Sequence, residues 1–240
     1  MADAPVYRKV LLKISGEALL GDKPYGIDDK MVSRLAGEIR EAVRLGVKVA
    51  VVMGGGNIFR GMQIAKQGGN RVAGDQMGML ATVMNAIALH EGLERAQVPA
   101  RIFSAFPMPT ICEMFSQQRA EKAFTKGRVL LLAGGTGNPF FTTDSGAALR
   151  AAEMGCEAIF KATQVDGVYS ADPKKDPKAV RFERLTHDEM LAKGLEVMDA
   201  AAVALARDNR IPVIVFSIHQ PGAFVDILKG IGRGTIVSDR

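Results

Sequence analysis

Along the chain, short apolar runs alternate with stretches in which apolar residues recur every three or four positions. Val10–Ser15 predicts a strand. Asp28 then caps a predicted helix whose stripe is Met31, Leu35, Ile39 and Val43. Arg44 in its last turn and Gly46 just beyond end it. Val47–Met53 is a second, fully apolar strand. A long helix follows over Asp75–Ala96, with Leu80, Val83, Met84, Ile87 and Leu89 at mostly helical spacing. Ala100–Ser104 and Arg128–Ala133 predict strands. Thr143 or Asp144 opens another helix, closed near Gly155, and Glu157–Ala162 is again a strand. The polar stretch with Asp172-Pro173 and Asp176-Pro177 is loop. Thr186-His187-Asp188-Glu189 has the spacing of a capping box for a short helix, and Asp199 caps an alanine-rich one. Pro212–Phe216 and Thr235–Val237 complete the strands.

Fully apolar strands separated by helices predict an α/β fold. A mostly parallel central sheet is covered on both faces, as in a three-layer α/β/α sandwich. No internal repeat or low-complexity linker interrupts the pattern. One domain over 1–240 is the simpler reading, and two lobes divided near residue 150 the alternative. No coiled coil or exposed apolar stripe announces an interface.

Composition narrows the class. The 240 residues are 48% hydrophobic and 24% charged, a globular balance. Cys112 and Cys156 are the only cysteines, which excludes a disulfide scaffold. With no secretory signal, they point to a reducing, cytoplasmic compartment. No apolar run is long enough to span a membrane. The net charge of +5 suits anionic small substrates better than DNA. Aromatics make up 6% and Trp is absent, which argues against a base-stacking nucleic-acid platform. The charged stretch Lys174–Arg184 mixes signs and reads as a solvated loop.

Four of the apolar strands run straight into loops rich in Gly, Thr or Asn. These are Ser15-Gly16, Gly54-Gly55-Gly56-Asn57, Gly134-Gly135-Thr136-Gly137-Asn138-Pro139, and Ala162-Thr163 leading to Asp166-Gly167. In a parallel sheet the loops at the carboxyl ends gather on one edge, where ligands bind. Any one of them reads equally as a tight turn. Together they favour a polyanion site, because glycine lets backbone N–H groups approach a phosphate. The P-loop pattern is absent, and neither Gly-x-Gly has the third glycine of a dinucleotide fingerprint.

Lys13 lies inside the apolar run before Ser15-Gly16, and Lys161 repeats this arrangement at the end of Glu157–Ala162. Either lysine can snorkel past the strand end, but two aimed at one edge suit a clamp on a transferring phosphoryl group. Arg60 follows the triple glycine and reads as a phosphate fork or a surface arginine. Asp144 reads equally as a plain N-cap or as the carboxylate that orients a lysine or a hydrated magnesium ion. His90, His187 and His219 are scattered away from these loops, which argues against histidine chemistry. Phosphoryl transfer rests on positioning and charge stabilisation and does not need it. With a phosphate acceptor, already largely anionic at neutral pH, no general base is required.

At these residues the chain resembles the amino acid kinase superfamily. The resemblance rests on Lys13-Ile14-Ser15-Gly16-Glu17-Ala18, Gly54-Gly55-Gly56-Asn57 and Lys161-Ala162-Thr163. Asp166-Gly167-Val168-Tyr169 and Asp172-Pro173 extend it. Within that superfamily it is similar to the bacterial uridylate kinases. The similar segments are Gly56-Asn57-Ile58-Phe59-Arg60-Gly61, Gly74-Asp75-Gln76-Met77-Gly78-Met79-Leu80-Ala81-Thr82 and Gly135-Thr136-Gly137-Asn138-Pro139-Phe140-Phe141-Thr142-Thr143-Asp144. The similarity covers Val6–Arg95 and Val129–Asp208.

The resemblance implies transfer from ATP to UMP with magnesium, giving ADP and UDP in pyrimidine nucleotide biosynthesis. By matching position, Lys13, Ile14, Ser15, Gly16, Gly56 and Arg60 would contact the ATP phosphates. Thr163, Tyr169 and Asp172 would line the adenosine pocket. Gly55, Asp75 and Thr136, Gly137, Asn138, Pro139, Phe140, Phe141, Thr142 and Thr143 would hold UMP. Lys13, Lys161, Asp144 and Arg60 would form the transfer machinery. The N-terminal part would serve mainly UMP and the C-terminal part mainly ATP. The resemblance further implies a hexamer, activated by GTP and inhibited by UTP, with Gly21-Asp22-Lys23-Pro24-Tyr25-Gly26 associated with the GTP effect. Residue chemistry alone makes that segment only a glycine-bounded loop. Two alternatives stand beside this reading: a superfamily kinase acting on a carboxylate or carbamate, and a nucleotide-sensing regulator that binds a partner or DNA.

Overall fold

The structure, a computed structural model, describes residues 4–59, 68–195 and 197–239. Its strands form one sheet: β1 (Lys9–Ile14), β2 (Lys48–Met53), β3 (Ala100–Ser104), β4 (Glu113–Met114), β5 (Val129–Ala133), β6 (Ala158–Thr163), β7 (Arg184–Leu185), β8 (Val213–Ser217) and β9 (Thr235–Val237). The spatial order is β4-β3-β5-β2-β1-β6-β8-β9-β7. Every neighbouring pair is parallel except β8 with β9. The expected α/β architecture is therefore observed.

The helices are α1 (Asp29–Arg44), α2 (Arg71–Arg95), α3 (Gln117–Thr125), α4 (Thr143–Glu153), α5 (His187–Ala192), α6 (Ala200–Asp208) and α7 (Ala223–Leu228), with a 3-10 turn over Gly16–Leu19. They divide between the two faces because strand side chains alternate. Val10, Leu12 and Ile14 of β1 join residues of α1, α2 and α7 in one core. Leu11 joins residues of α3, α4 and α6 in the other. Lys13 shares the register of Leu11, so it faces the α4 layer.

Local chemistry sets most helix ends as the sequence predicts. Asp28 accepts from the N–H groups of Lys30 and Met31, and Gly46 follows α1 with φ +83°. Thr186 and Glu189 make the expected capping box. Asp199 caps α6.

The sequence reading is corrected at three points. Helix α2 starts at Arg71, four residues before the expected Asp75, because the Asn70 side chain accepts from Val72 and Ala73 N–H. Asp75 lies inside the helix, where Arg71 one turn earlier bonds it. The α2 stripe is also two-sided. Val83 and Leu89 are buried, but Leu80 is 46% exposed and Met84 52%. With Met77 and Ile87 they form an exposed apolar row at positions 77, 80, 84 and 87, contrary to the expectation that no such stripe exists. Finally, α3, α7, β4 and β7 are further elements that the apolar pattern leaves unmarked. Among the described residues, no helix is long and apolar enough to cross a membrane.

Candidate active site

Strands β5, β2, β1 and β6 are consecutive neighbours in the sheet and all parallel. Their four Gly-rich loops therefore emerge side by side at the carboxyl edge, as the sequence predicts. Two of them touch backbone to backbone. The Gly54 N–H donates to the Ile14 carbonyl at 2.9 Å. A Cβ on Gly16 would come within 2.8 Å of the Gly54 carbonyl oxygen and Gly56 nitrogen. A Cβ on Gly55 would strike the Gly78 carbonyl of α2 at 2.7 Å. Only glycine fits at either position.

Lys13 and Lys161 are register partners on β1 and β6, and both side chains are buried. Asp144 in the first turn of α4 lies between them. Lys13 Nζ is 2.7 Å from Asp144 Oδ1 and Lys161 Nζ is 2.5 Å from Oδ2. The Lys161 contact is also a hydrogen bond, and Lys13 meets Oδ1 as an ion pair. The two readings of Asp144 are thus separated: Thr142, not Asp144, is the N-cap of α4, and the carboxylate orients both lysines.

Burial alone would raise the Asp144 pKa. The two ammonium groups outweigh it and hold the carboxyl below its ordinary range. For Lys161, burial and the Lys13 charge push the pKa down to about 8 against the pull of Asp144 and Asp199. The three groups in direct contact carry a net charge of +1, and Asp199 is a further carboxylate whose field reaches Lys161.

Asp199 has a second role that its reading as a helix cap does not suggest. It accepts from Ala202 N–H at 3.0 Å, from Ser145 Oγ at 2.9 Å and from Thr142 Oγ1. Thr142 Oγ1 in turn accepts from Asp144 N–H at 3.0 Å. The start of α4, and with it Asp144, is tied to the start of α6. Beside this tie is a cavity of about 480 Å³ with walls of Met190, Leu191, Leu195, Met198 and Val203 and with Asp144 in its lining. None of these apolar residues carries a chemical signal in the sequence.

The loop after β5 bends through Gly134, Gly135 and Gly137, all at positive φ. The Gly134 N–H donates to Thr82 Oγ1 of α2 at 2.8 Å. Thr136 Oγ1 closes a small turn on Asn138. Phe140 sits at φ +71°, rare for a bulky residue, and is 67% exposed. Its N–H donates to Asp75 Oδ2 at 2.8 Å and Arg71 lies over its ring. Pro139 precedes it and the exposed Phe141 and then Thr143 lead into α4. The loop is therefore held between α2 and α4, and Asp75 is brought to it.

On the β6 side, Thr163 Oγ1 donates to the Val165 carbonyl and Tyr169 OH to Asp166 Oδ1, while Asp172 caps the turn at Lys174. The structure does not place these three in the lining of the 480 Å³ cavity. Arg60 lies outside the described residues. The segment 21–26 is largely exposed, and Gly26 bonds Asn57 in both directions.

One expectation about histidines changes. His219 does reach the loop edge, at the end of β8, where its ring bonds Gln164 next to Thr163. His187 is buried among structural partners, its ring nitrogens facing Asp239 and the Ile211 carbonyl. Among the described residues no cluster of three or more His, Cys, Asp or Glu side chains could hold a metal. A magnesium ion carried on ATP phosphates would meet Asp144, whose two oxygens are already ion-paired by the lysines.

The sequence pattern described as the amino acid kinase family matches residues 8–217. The chain belongs to the amino acid kinase family. Curated relatives span it end to end. A protein named uridylate kinase from Agrobacterium fabrum is 62% identical over 240 residues, covering 100% of both chains. One of the same name from Brucella abortus is 59% identical over 239 residues, again covering 100% of both. Among solved structures, UMP kinase from Ureaplasma parvum superposes with TM-score 0.92 at 38% identity, covering 97% of this chain and 99% of that one. UMP kinase from Bacillus anthracis gives 0.93 at 36%, covering 97% and 96%. Lys13, Asp144 and Lys161 all lie inside the matched region.

Proposed function

We propose that this phosphotransferase is a UMP kinase: it moves the γ-phosphoryl group of ATP to UMP, giving UDP and ADP. The observation that carries the reading is the Asp144-bridged pair Lys13 and Lys161, buried beneath four Gly-rich loops at one sheet edge. A UMP phosphate oxygen attacks the γ-phosphorus as the bond to the ADP oxygen breaks. With its second pKa near 6, that oxygen is already an anion at neutral pH, so no side chain has to take a proton. Lys13 and Lys161 stabilise charge on the transferring group, and Asp144 keeps their ammonium groups at one height. Magnesium, when bound with ATP, offsets charge on the phosphates, and Asp144 is the residue that would meet it.

The remaining roles follow the same division. Lys13, Ile14, Ser15, Gly16, Gly56 and Arg60 serve the ATP phosphates, and Thr163, Tyr169 and Asp172 the adenosine. Gly55, Asp75 and residues 136–143 hold UMP. None of the described residues in these sets lines the apolar cavity beside Asp144. The N-terminal part thus acts mainly on UMP and the C-terminal part mainly on ATP, in one domain. The enzyme supplies UDP for pyrimidine nucleotide synthesis in the cytoplasm. It works as a homo-oligomer, a hexamer, and the exposed row 77, 80, 84 and 87 on α2 supports association of copies. GTP activates it through the 21–26 segment and UTP inhibits it. The link from Gly26 to Asn57 supports a route from that segment to the loops.

The test is ADP release with ATP and magnesium, offering UMP, CMP, dUMP, glutamate and aspartate separately, each with and without GTP. UMP turnover raised by GTP is expected. Turnover of glutamate or aspartate but not UMP overturns the acceptor, and GTP indifference overturns the regulation.

A further inference from the structure

Two asparagines that the transfer chemistry does not use are almost wholly shut off from solvent: Asn57 is 2% exposed and Asn85 0%. Asn57 ends the Gly54-Gly55-Gly56 loop and Asn85 lies in the middle of α2. Their carboxamides bond each other in both directions. Asn57 Nδ2 donates to Asn85 Oδ1 at 2.9 Å, and Asn85 Nδ2 donates to Asn57 Oδ1 at 2.7 Å. The second hydrogens are used as well. Asn57 Nδ2 donates to the Gly26 carbonyl at 2.9 Å and Asn85 Nδ2 to the Gly54 carbonyl at 2.7 Å. All four amide hydrogens are satisfied, which fixes both side chains in one orientation.

Gly26 N–H also donates to the Asn57 backbone carbonyl at 2.9 Å. The loop after β1 rests on the same group: a Cβ on Gly16 would be 2.5 Å from Asn57 Oδ1. One amide pair therefore touches both glycine loops and the 21–26 segment and anchors them to a 25-residue helix. Asn85 is one of three α2 side chains that hold loops at the carboxyl edge. Asp75 takes Phe140 N–H and Thr82 takes Gly134 N–H. The spacing 75, 82, 85 puts them on one side of the helix.

We propose that Asn57 and Asn85 are positioning residues for phosphoryl transfer: their reciprocal amide pair fixes the height at which the Ser15–Gly16 and Gly54–Gly56 loops present their N–H groups to phosphate. The proposal rests on those loops being the phosphate cradle. The pair carries no charge and is shut off from solvent. It acts by holding backbone, and a shift of about 1 Å at a reacting centre can cost about a hundredfold in rate.

The experiment compares Asn85→Ala, Asn57→Ala and the double variant with Leu93→Ala, a fully buried apolar truncation two turns further along α2. Melting temperature, kcat and KM for ATP are measured on each, well below its melting point. A drop in kcat of about tenfold or more is expected for either asparagine variant, with no further drop in the double. Leu93→Ala, at an equal or larger loss of melting temperature, should keep kcat within twofold. Asn85→Ser replaces any alanine variant that fails to fold. In Asn85→Asp an oxygen faces the Gly54 carbonyl, and only the protonated acid can donate there. Its kcat relative to the parent should rise as pH is lowered. Asparagine variants with kcat within twofold of the parent, or an equal kcat loss in Leu93→Ala, overturn the proposal. Lys13→Ala is run beside them. If it turns over normally, the phosphate-cradle reading itself fails; if it is slow while Asn85→Ala is normal, only the pair's role fails.

Discussion

On the α4 side of the sheet's carboxyl edge, Asp144 holds Lys13 and Lys161 by charge. On the α2 side, Asn57 and Asn85 hold glycine loops with neutral amides. The first arrangement buries two ammonium groups against one bridging carboxylate, which costs desolvation and suits the docking of a further anion. The second is fully satisfied by itself and gains nothing electrostatically from a ligand. It gives precision of placement instead. A phosphate site needs both, since fixed charge lowers the barrier only where the transferring group is held in line.

The largest effect expected from breaking the charged side is on turnover. Lys13→Ala and Lys161→Ala should lower kcat by about 10²–10³-fold, judged by the loss of one preorganised donor. UMP binding, followed by calorimetry, should stay near normal. Unchanged turnover in either variant removes that lysine from the mechanism.

Stability sharpens the comparison next. Asp144→Asn removes the carboxylate that bridges two buried ammonium groups and leaves only the more distant Asp199, and about 3 kcal/mol of destabilisation is expected. ATP should restore part of it by supplying anions at the same place, so the deficit in melting temperature should shrink as ATP is added. An equal deficit with and without ATP would mean that the phosphates do not sit over these lysines.

A smaller effect tests the loop after β5. Asp75→Asn is expected to raise KM for UMP about tenfold, a loss of one charge-assisted contact, and to leave KM for ATP near normal. Equal loss for both nucleotides would make Asp75 purely structural.

The smallest effect is a pH limb. Burial and the Lys13 charge push the Lys161 pKa down to about 8. Raising the pH through that value removes its proton and one positive charge, so kcat/KM for ATP should fall a few-fold on the alkaline side. Asp144 is held low and stays ionised throughout. Lys161→Arg should flatten this limb because a guanidinium keeps its charge. A limb that persists in that variant belongs to another group.

The charged side is the legible one. A lysine in an apolar run is costly enough to need a reason, so Lys13 and Lys161 stand out in the sequence itself. Glycine runs at strand ends are equally visible. The sheet and most helix caps follow from apolar period and side-chain chemistry. The amide side is silent, because Asn57 reads as the end of a turn and Asn85 as one polar position in a helix. Their meaning lies in a contact between residues 28 positions apart. Asp199 is half legible: its cap is local, but its hold on Thr142 and Ser145 is not. The start of α2 misleads because an acidic residue resembles the opening, while the nearby Asn70 caps better placed N–H groups. The apolar row at 77, 80, 84 and 87 shows why periodicity alone cannot assign a face. Helix α2 is apolar on two sides, and only one of them meets the core.

That two-sidedness makes α2 a shaft. Its loop-holding side chains and its exposed apolar row are fixed to one rigid rod about 37 Å long. A turn of the rod by ~10° about its own axis carries atoms ~6 Å from that axis through about 1 Å. Hydrogen bonds of the length found at Asn85 and Thr82 do not survive many such displacements unless the loops travel too. Anything that grips the apolar row therefore holds the same rod that carries Asp75, Thr82 and Asn85 to the glycine loops.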